Sequence, residues 1–492
     1  MKILLVYPRT PTTFWSFHNA IKFISKKATE PPLGLITIAA MLPANWDLRL
    51  VDTNVSPLTD EQIRWADYVF VSGMSIHKNS FRQVVKRCNE LATPVVAGGP
   101  MVTTDYREFL GVDHFVLNEA EITLPMFLND LEKGHPEHIY TSDTFPDLSL
   151  TPLPRWDLLE QNKYAAMSIQ YSRGCPYDCE FCSIVLLNGR RPRTKSTAQF
   201  LAELDGLLDS GWRGSILIVD DNFIGNRNKL KNDLLPALIR WGSEHHHPFT
   251  FGTEATINLA EDDVLIDLMV KAGFEHAFIG IETPNIDSLN ECGKKQNLKV
   301  DMLSAVRKLH KSGIRVSAGF IIGFDSDPAD IFERQINFIR NSGIVTAMVG
   351  LLNAPAGTKL FKRLKQENRL LEGFAGDNMD GSINFIPRMN YQKLIAGYKS
   401  VLDTIYSQKE YYERVKSFLN EYQPHINGAS RIRFQDVKAL LKSFWILGVR
   451  EKGKRYYWKL ILMSLFRYPR KFPMAVTMAI YGFHFRRVVQ AV

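Results

Sequence analysis

Short apolar runs alternate with amphipathic stretches along the first 135 residues. The runs are rich in β-branched residues and cover residues 3–7, 48–52, 68–73, 94–100 and 114–119. This alternation predicts βαβ units, and such units build a parallel sheet. We therefore predict a doubly wound, Rossmann-like α/β domain over residues 1–135.

The alternation resumes after a proline-interrupted stretch, residues 136–164, which we interpret as a linker. Further strands are predicted at residues 168–172, 215–220, 250–255, 276–282, 315–322 and 346–352. Six βα units favour a partial (βα)6 barrel, over residues 165–360, rather than a complete one. Beyond the barrel the strand signal fades, and helical patterning predicts a mainly helical domain over residues 361–492.

The composition is that of a folded protein with several domains. The chain has 492 residues, of which 45% are hydrophobic and 23% charged, and this excludes disordered and fibrous classes. No apolar run is long enough to span a bilayer. The first apolar run ends at Pro8 and is too short for a secretory signal, so we expect a cytoplasmic protein.

Positive charge is concentrated at the C-terminus. Residues 431–492 contain 14 Lys and Arg and two acidic residues, Asp436 and Glu451, whereas the rest of the chain is slightly acidic. Aromatic residues are interspersed among these cations, which suits a peripheral helix on an anionic membrane. A solvated basic face with its aromatic residues in the core is an equal alternative.

Polar and small residues follow several strands of the predicted N-terminal sheet. They are Ser72, Gly73, Gly98, Gly99, Asn118 and Glu119. Because open α/β sheets bind ligands at the carboxyl ends of their strands, we predict a ligand site at this edge.

Three cysteines crowd into one loop after the first strand of the predicted barrel. Cys175, Cys179 and Cys182 are spaced C-x3-C-x2-C, and soft thiolates at this density suit zinc or an iron–sulfur cluster. Three ligands would leave one iron of a cubane without a thiolate, a useful vacancy for chemistry. The alternative is a structural zinc site completed by Cys88 or Cys292.

This loop, with Phe181 before its last cysteine, resembles that of the radical S-adenosylmethionine (SAM) enzymes. The resemblance implies a [4Fe–4S] cluster on the three cysteines and SAM chelated to the fourth iron, where reductive cleavage gives a 5′-deoxyadenosyl radical. It also places polar groups and glycines at the ends of the barrel strands beside SAM. The candidates are Asp220, Asp221, Asn222, Glu254, Glu282, Gly319 and Gly323.

The N-terminal domain resembles the cobalamin-binding domain of one radical SAM subgroup. Pro32, Leu33 and Gly34 and the turn at Gly98 and Gly99 carry this resemblance, which makes the residues at the sheet edge candidate cobalamin contacts. The D-x-H-x-x-G loop that supplies an axial histidine in many cobalamin proteins is missing, as is usual in this subgroup. A doubly wound domain that binds another nucleotide, or nothing, is the alternative.

The resemblance continues through residues 350–352, 377–378 and 384–385 into a C-terminal domain of uncharacterised role. The subset of proteins with this domain includes enzymes similar to hopanoid C-2 methylase. The resemblance implies methyl transfer from methylcobalamin to an unactivated carbon of a lipid-like or other hydrophobic small molecule. An external electron donor such as flavodoxin or ferredoxin is then a partner, and no nucleic acid is expected.

Two rival functions remain open from the sequence. One is cyclisation or rearrangement by the same radical chemistry without methyl transfer. The other is a nucleic-acid-binding protein that uses the basic tail and has a structural zinc site.

Overall fold

The computed structural model of the chain describes residues 1–371, 373, 376–377, 380–425 and 434–491. Its architecture confirms the predicted fold class: a doubly wound α/β domain, a partial barrel and a mainly helical C-terminal domain. Among the residues named from the sequence, Asn378 and the tail cations Arg431 and Arg433 lie outside the described ranges.

The N-terminal domain contains a six-stranded, wholly parallel sheet in the order β2-β1-β3-β4-β5-β6. Its strands are β1 (Lys2–Tyr7), β2 (Asp47–Asp52), β3 (Tyr68–Ser72), β4 (Val95–Gly98), β5 (His114–Val116) and β6 (Ile139–Tyr140). Its helices are α1 (His18–Ile21), α2 (Leu33–Ala39), α3 (Asp60–Trp65), α4 (Lys78–Glu90), α5 (Pro100–Asp105) and α6 (Ala120–Glu132). Strand order reverses between β1 and β3, which is the topological switch point where such sheets bind ligands.

Strand β6 lies inside residues 136–164, which the sequence analysis interprets as a linker. It pairs with β5, and Leu117 N–H donates to the Tyr140 carbonyl oxygen (2.9 Å). The stretch therefore begins by closing the edge of the first sheet.

The central region contains a second parallel sheet of six strands, in the order β14-β13-β12-β11-β10-β7. The strands of this region are β7 (Met167–Ile169), β8 (Ser172–Arg173), β9 (Arg193–Thr194), β10 (Gly214–Ile218), β11 (Phe249–Ala255), β12 (Phe274–Glu282), β13 (Arg315–Ile322) and β14 (Ala347–Leu351). Its helices are α7 (Ile184–Asn188), α8 (Thr197–Asp209), α9 (Arg227–Lys229), α10 (Leu235–Glu244), α11 (Asp263–Lys271), α12 (Ile286–Glu291), α13 (Met302–Lys311) and α14 (Ile331–Ser342). The short antiparallel pair β8–β9 flanks the cysteine loop.

The C-terminal domain is helical in the described residues. Its helices are α15 (Lys359–Gln366), α16 (Tyr391–Tyr406), α17 (Gln408–Glu421), α18 (Phe434–Trp445), α19 (Lys454–Arg467) and α20 (Phe472–Val489). A π-helical turn, Ile446–Arg450, follows α18. No helix in the described parts of the chain combines the length and the apolarity needed to cross a membrane.

The segment between β1 and α1 joins all three parts of the molecule. Phe14 is fully buried against Phe485 of α20, with ring centroids 5.4 Å apart, and Phe17 packs on Tyr481 of the same helix (4.8 Å). Between them, Trp15 reaches the barrel, where its ring lies 4.7 Å from that of Phe278. Aromatic packing thus fixes this segment of the N-terminal domain between the barrel and the C-terminal helices.

Candidate cofactor site between the two sheets

The cysteine loop leaves β8 through a glycine that no other residue can replace without strain. Gly174 has φ +96°, and a Cβ there would lie about 3.0 Å from the carbonyl oxygens of Arg191 and Gly189. Cys179 is buried and Cys175 and Cys182 are partly exposed. Burial raises the pKa of all three thiols, that of Cys182 to about 12. No three His, Cys, Asp or Glu side chains of the described residues are grouped as ligands of a single metal ion.

The two proposed completing ligands of a zinc site are engaged elsewhere. Cys88 is buried in the core of the N-terminal domain. Cys292 is buried in an apolar cluster with Phe324 and Leu352, and its thiol donates to the Leu289 carbonyl oxygen (3.6 Å). Neither geometry supports the zinc alternative.

Helix α15 holds the cysteine loop from outside. Arg363 binds the Glu180 carboxylate with two hydrogen bonds, Nε–Oε1 2.6 Å and Nη2–Oε2 3.1 Å, and Leu360 N–H donates to the Glu180 carbonyl oxygen (2.9 Å). Lys359 pairs with Asp178. A bidentate arginine–carboxylate pair restricts orientation as well as distance, so the loop is held in one arrangement.

The carboxylates of Asp220 and Asp221, which the sequence places beside SAM, are bonded to the cysteine loop and its strand. Asp220 accepts from the Tyr171 and Ser172 N–H groups, both at 2.8 Å, and burial raises its pKa to about 7. Asp221 accepts from Gly174 N–H (2.8 Å). Asn222 is 2% exposed, and neither atom of its amide has a hydrogen-bond partner. Asn222 is thus the free polar group of the three.

The loop after α12 contributes three residues that sequence reasoning missed. Buried Lys294 pairs with Glu282 (Nζ–Oε1 2.6 Å), and Gln296 Nε2 lies 3.8 Å from Cys179 Sγ. Asn297 donates to the Gly280 and Ile281 carbonyl oxygens, each at 3.0 Å, while its Oδ1 lacks a partner. The polar run after Cys292 was the available signal, but only the fold brings it to the cysteines.

The remaining SAM candidates lie along the barrel strands. Glu254 is accessible to solvent although protein surrounds it, as in a strand residue facing the barrel lumen, and desolvation raises its pKa to about 7. Glu282 is tied to Lys294 rather than free. A Cβ at Gly319 would lie 3.2 Å from the Phe278 ring, and the N–H of Gly323 donates to Asp327 Oδ2 (2.8 Å).

The cobalamin candidates gather at the carboxyl edge of the first sheet. Gly99 has φ +91°, and a Cβ there would collide with the Ser72 hydroxyl, so the ends of β3 and β4 are in contact. Gly98 of β4 is the partner of Ser72 of β3 in the sheet, and Met101 N–H donates to the Gly73 carbonyl oxygen (3.3 Å). This edge also holds the N-terminus of α2, where Pro32 is the N-cap, Leu33 the first residue, and nothing lies within 4 Å of a Cβ at Gly34.

The residues that follow β5 at this edge of the sheet contact the barrel. Asn118 has φ +62° and accepts from the Thr141 hydroxyl (2.8 Å). Glu119 pairs with Arg173 (2.6 Å) and Arg193 (2.5 Å), and Arg173 also pairs with Glu121 (2.8 Å). Arg173 immediately precedes the cysteine loop. The buried ion cluster therefore connects the candidate cobalamin edge to the candidate iron–sulfur loop.

His77, which lies at the topological switch point, is satisfied within the protein. Its Nδ1 accepts from Met74 N–H (3.0 Å), and its Nε2 lies 2.9 Å from the Thr10 hydroxyl. Burial lowers its pKa to about 4, so the ring is neutral at pH 7. Both ring nitrogens of His77 are therefore engaged within the protein.

The residues present fit the cofactors that the sequence implies. Three thiols on one braced loop suit a cluster, and unpartnered amide atoms of Asn222, Gln296 and Asn297 suit a polar ligand beside it. The glycine-lined edge at β3 and β4 suits a bulky ligand that approaches backbone closely. The Glu119–Arg173 contact places the two sites next to each other.

Comparison with known families and relatives agrees with this arrangement. A B12 binding domain matches residues 23–128, the radical SAM superfamily matches residues 169–339, and a domain of unknown function, DUF4070, matches residues 358–492. An uncharacterised methyltransferase of Synechocystis sp., sll1242, is 40% identical over 490 residues, which cover 99% of this chain and 91% of the relative. Hopanoid C-2 methylase of Rhodopseudomonas palustris is 34% identical over 478 residues, which cover 95% of this chain and 90% of the methylase.

Two solved structures share the fold over the full chain. The radical SAM methyltransferase TsrM of Kitasatospora setae, with cobalamin and a [4Fe–4S] cluster bound, has a TM-score of 0.62 at 14% identity, covering 100% of this chain and 99% of TsrM. The cobalamin-dependent SAM radical enzyme OxsB with aqua-cobalamin has a TM-score of 0.63 at 15% identity, covering 100% and 80%. The chain therefore belongs to the cobalamin-binding radical SAM enzymes with a DUF4070 domain, whose cofactors are a [4Fe–4S] cluster, SAM and cobalamin.

Proposed function

We propose that this enzyme methylates an unactivated carbon of a lipid-like, hydrophobic small molecule. The cofactors supply the chemistry, namely a SAM-derived radical that removes hydrogen and a cobalt-bound methyl group for transfer. The protein must bind the substrate between them and exclude water and oxygen. Two relatives that align over nearly the whole chain, sll1242 and hopanoid C-2 methylase, are both named as methyl-transferring proteins, which supports methyl transfer.

The contact of Trp15 with Phe278 carries the proposal of a hydrophobic substrate. Phe278 lies on the face of β12 opposite to the buried Ala277 and Ile279, so its ring points into the lumen. Trp15 lies in the segment that follows β1 and is 48% exposed. Two neighbouring aromatic faces suit an apolar ring system or chain better than a polar substrate.

A lipid-like substrate resides in or on a membrane, so we also propose peripheral membrane contact through the C-terminal tail. The cysteine loop is assigned the cluster through Cys175, Cys179 and Cys182. The amide of Asn222 and the polar groups after α12 are assigned to SAM, and the edge formed by β3 and β4 to cobalamin.

Isotope transfer tests the proposed function directly. The anaerobically reconstituted enzyme, with a reductant, is incubated with a bacterial lipid extract and SAM that carries a trideuterated methyl group. We expect a lipid product that is heavier by the labelled methyl group, formed together with 5′-deoxyadenosine, and measured by mass spectrometry. Protein reconstituted without cobalamin is the control, and it should yield no labelled lipid.

The same measurement separates the rival reactions. A product of altered structure without the label would indicate cyclisation or rearrangement and would refute methyl transfer. A labelled product found only in the water-soluble fraction would refute the lipid-like substrate while leaving methyl transfer intact.

Lys294 is expected to raise the reduction potential of the cluster. The buried ammonium pairs with Glu282, and electrostatic interaction with Cys179 and Cys182 favours its charged form, so a fixed positive charge lies beside two of the three proposed cluster ligands. In Lys294→Met we expect a more negative cluster potential, because reduction adds negative charge that the variant no longer offsets. Potentiometric titration followed by electron paramagnetic resonance measures it. Lys294→Arg keeps the charge and should stay near the wild-type value; an equal shift in both variants would contradict an electrostatic role.

A further inference from the structure

The C-terminal domain carries a concentrated row of exposed apolar side chains. Of the 23 large hydrophobic side chains exposed in the described residues, eight lie between positions 437 and 466. We call them the docking face: Val437, Leu441, Trp445, Val449, Trp458, Leu462, Leu465 and Phe466. Their exposed fractions run from 37% for Trp458 to 81% for Phe466, so this part of the domain leaves much apolar surface in water.

Helical geometry makes the docking face two connected ridges. Val437, Leu441 and Trp445 are spaced four residues apart on α18 and so share one side, while Ala439 and Ser443 are buried on the other. On α19 the opposite side, with Tyr457 and Leu460, is buried. The ridges meet where Trp458 Nε1–H donates to the Gly448 carbonyl oxygen (2.9 Å).

Cations outnumber acidic residues around this surface. Exposed Lys and Arg lie at Lys438, Arg450, Lys452, Lys454, Arg455, Lys459, Arg467 and Arg470. Asp436 and Glu451 are the only acidic residues from 434 to 491, and Glu451 pairs with Arg487 (2.9 Å). In the described part of the chain none of those eight cations forms an ion pair with a carboxylate.

We propose that the docking face inserts into the headgroup region of an anionic phospholipid bilayer. The apolar ridges would enter the interface, and the long cationic side chains would reach phosphate groups around them. A second copy of the chain fits poorly, since a two-fold interface would place these cations against one another. Nucleic acid would use the cations but gain nothing from exposed Leu and Val side chains.

The position of the docking face suggests why the enzyme would bind a membrane. This explanation rests on the proposed lipid-like substrate, whereas membrane binding itself does not. A groove of about 770 Å³ is lined by α18 and by the segment that follows Trp15, and the two are also joined by a hydrogen bond from Lys442 Nζ to the Lys22 carbonyl oxygen (2.7 Å). Leu441 and Trp445 line one side of the groove, and Lys22 and Phe23 the other. A bilayer at the docking face would therefore meet the segment that leads to Trp15 and the barrel.

Vesicle binding by the full chain tests the docking face without cofactors or substrate. The probes are vesicles of phosphatidylcholine alone and of phosphatidylcholine with one third phosphatidylglycerol. We expect sedimentation with the anionic vesicles, and a loss of affinity of about tenfold or more in Leu441→Ser/Trp445→Ser/Phe466→Ser and in Lys438→Gln/Lys459→Gln/Arg467→Gln. A control variant, Leu110→Ser/Val264→Ser/Ile286→Ser, removes equally exposed apolar side chains elsewhere and should bind as the wild type does.

Several outcomes would overturn the docking face. The first is that the apolar variant, Leu441→Ser/Trp445→Ser/Phe466→Ser, binds the vesicles as tightly as the wild type does. The second is that a DNA duplex displaces the protein from the vesicles and still binds the apolar variant. The third is that the wild type forms a stable dimer and the apolar variant is a monomer. Methylation of detergent-dispersed lipid by the apolar and the cationic triple variants is measured in parallel. Vesicle binding without any labelled product would refute the proposed function alone, and labelled product without vesicle binding would refute the docking face alone.

Discussion

Cys179→Ala is expected to abolish the iron–sulfur absorbance of the reconstituted protein and its formation of 5′-deoxyadenosine together. Cys179 is buried whereas the other two loop cysteines are partly exposed, and Gln296 Nε2 lies 3.8 Å from its sulfur. Alanine would leave only two thiolates for a cluster that needs three protein ligands. Anaerobic ultraviolet–visible spectra, iron and sulfide content and chromatography of the nucleoside measure the loss, which we expect to reach the detection limit.

Cys292→Ala is the matched control for this experiment. Cys292 is buried, like Cys179, and contacts the cysteine loop, since Glu180 N–H donates to the Cys292 carbonyl oxygen (2.8 Å). Its side chain, however, packs among apolar residues, so this variant should keep the cluster and the activity. Nucleoside formation by Cys179→Ala would contradict the ligand assignment, and so would wild-type protein that binds one zinc ion in place of iron.

The strands were predictable where a local apolar run determines them. Strand β13 has the predicted limits, residues 315–322, because most of its residues are apolar and buried and lie in one continuous run. Strand β6 was missed since it has two residues, too few to show a period, and it forms because β5 offers an open edge. Length and patterning therefore predicted the architecture, whereas this edge closure depends on a partner distant in the chain.

The residues of the candidate site were likewise predictable only where their signal is local in the sequence. The three cysteines were found because their signal is contained in eight consecutive residues. Lys294 and Gln296 could not be found this way, as Gln296 reaches Cys179 across more than a hundred residues of chain. For Asp220, the position at a strand end was predictable from the sequence. The hydrogen bonds that its carboxylate accepts from the Tyr171 and Ser172 N–H groups were not, because they depend on the path of the chain around β8. Its proposed contact with SAM stays a prediction.

Arg173→Met is expected to destabilise the protein by about 3–5 kcal/mol at pH 7, because it leaves the buried Glu121 carboxylate without its cation, whereas Glu119 keeps Arg193. Glu119 and Glu121 are 7% and 3% exposed at their side chains, and Arg173 pairs with both. Arg155→Met is the control, since its pair with Asp157 is exposed at both partners and should be worth at most about 1 kcal/mol. Denaturant titration of the cofactor-free proteins, followed by tryptophan fluorescence, measures both losses.

The pH dependence of this loss distinguishes a buried charge from lost packing. Burial tends to raise the pKa of Glu121, but the Arg173 guanidinium outweighs it and holds the pKa below its usual value. In the wild type this contribution to stability is present above the pKa of the unfolded chain and disappears as the pH falls through the lowered pKa. In Arg173→Met the guanidinium is lost while burial and the hydrogen bond from the Thr151 hydroxyl (2.7 Å) remain, so we expect the pKa of Glu121 to rise and acid to protonate the carboxyl and relieve the variant. The difference in unfolding free energy between the two proteins should therefore shrink from pH 7 toward pH 4. A difference that stays constant over this range would show that Arg173 stabilises the contact between the domains by packing, not by its charge.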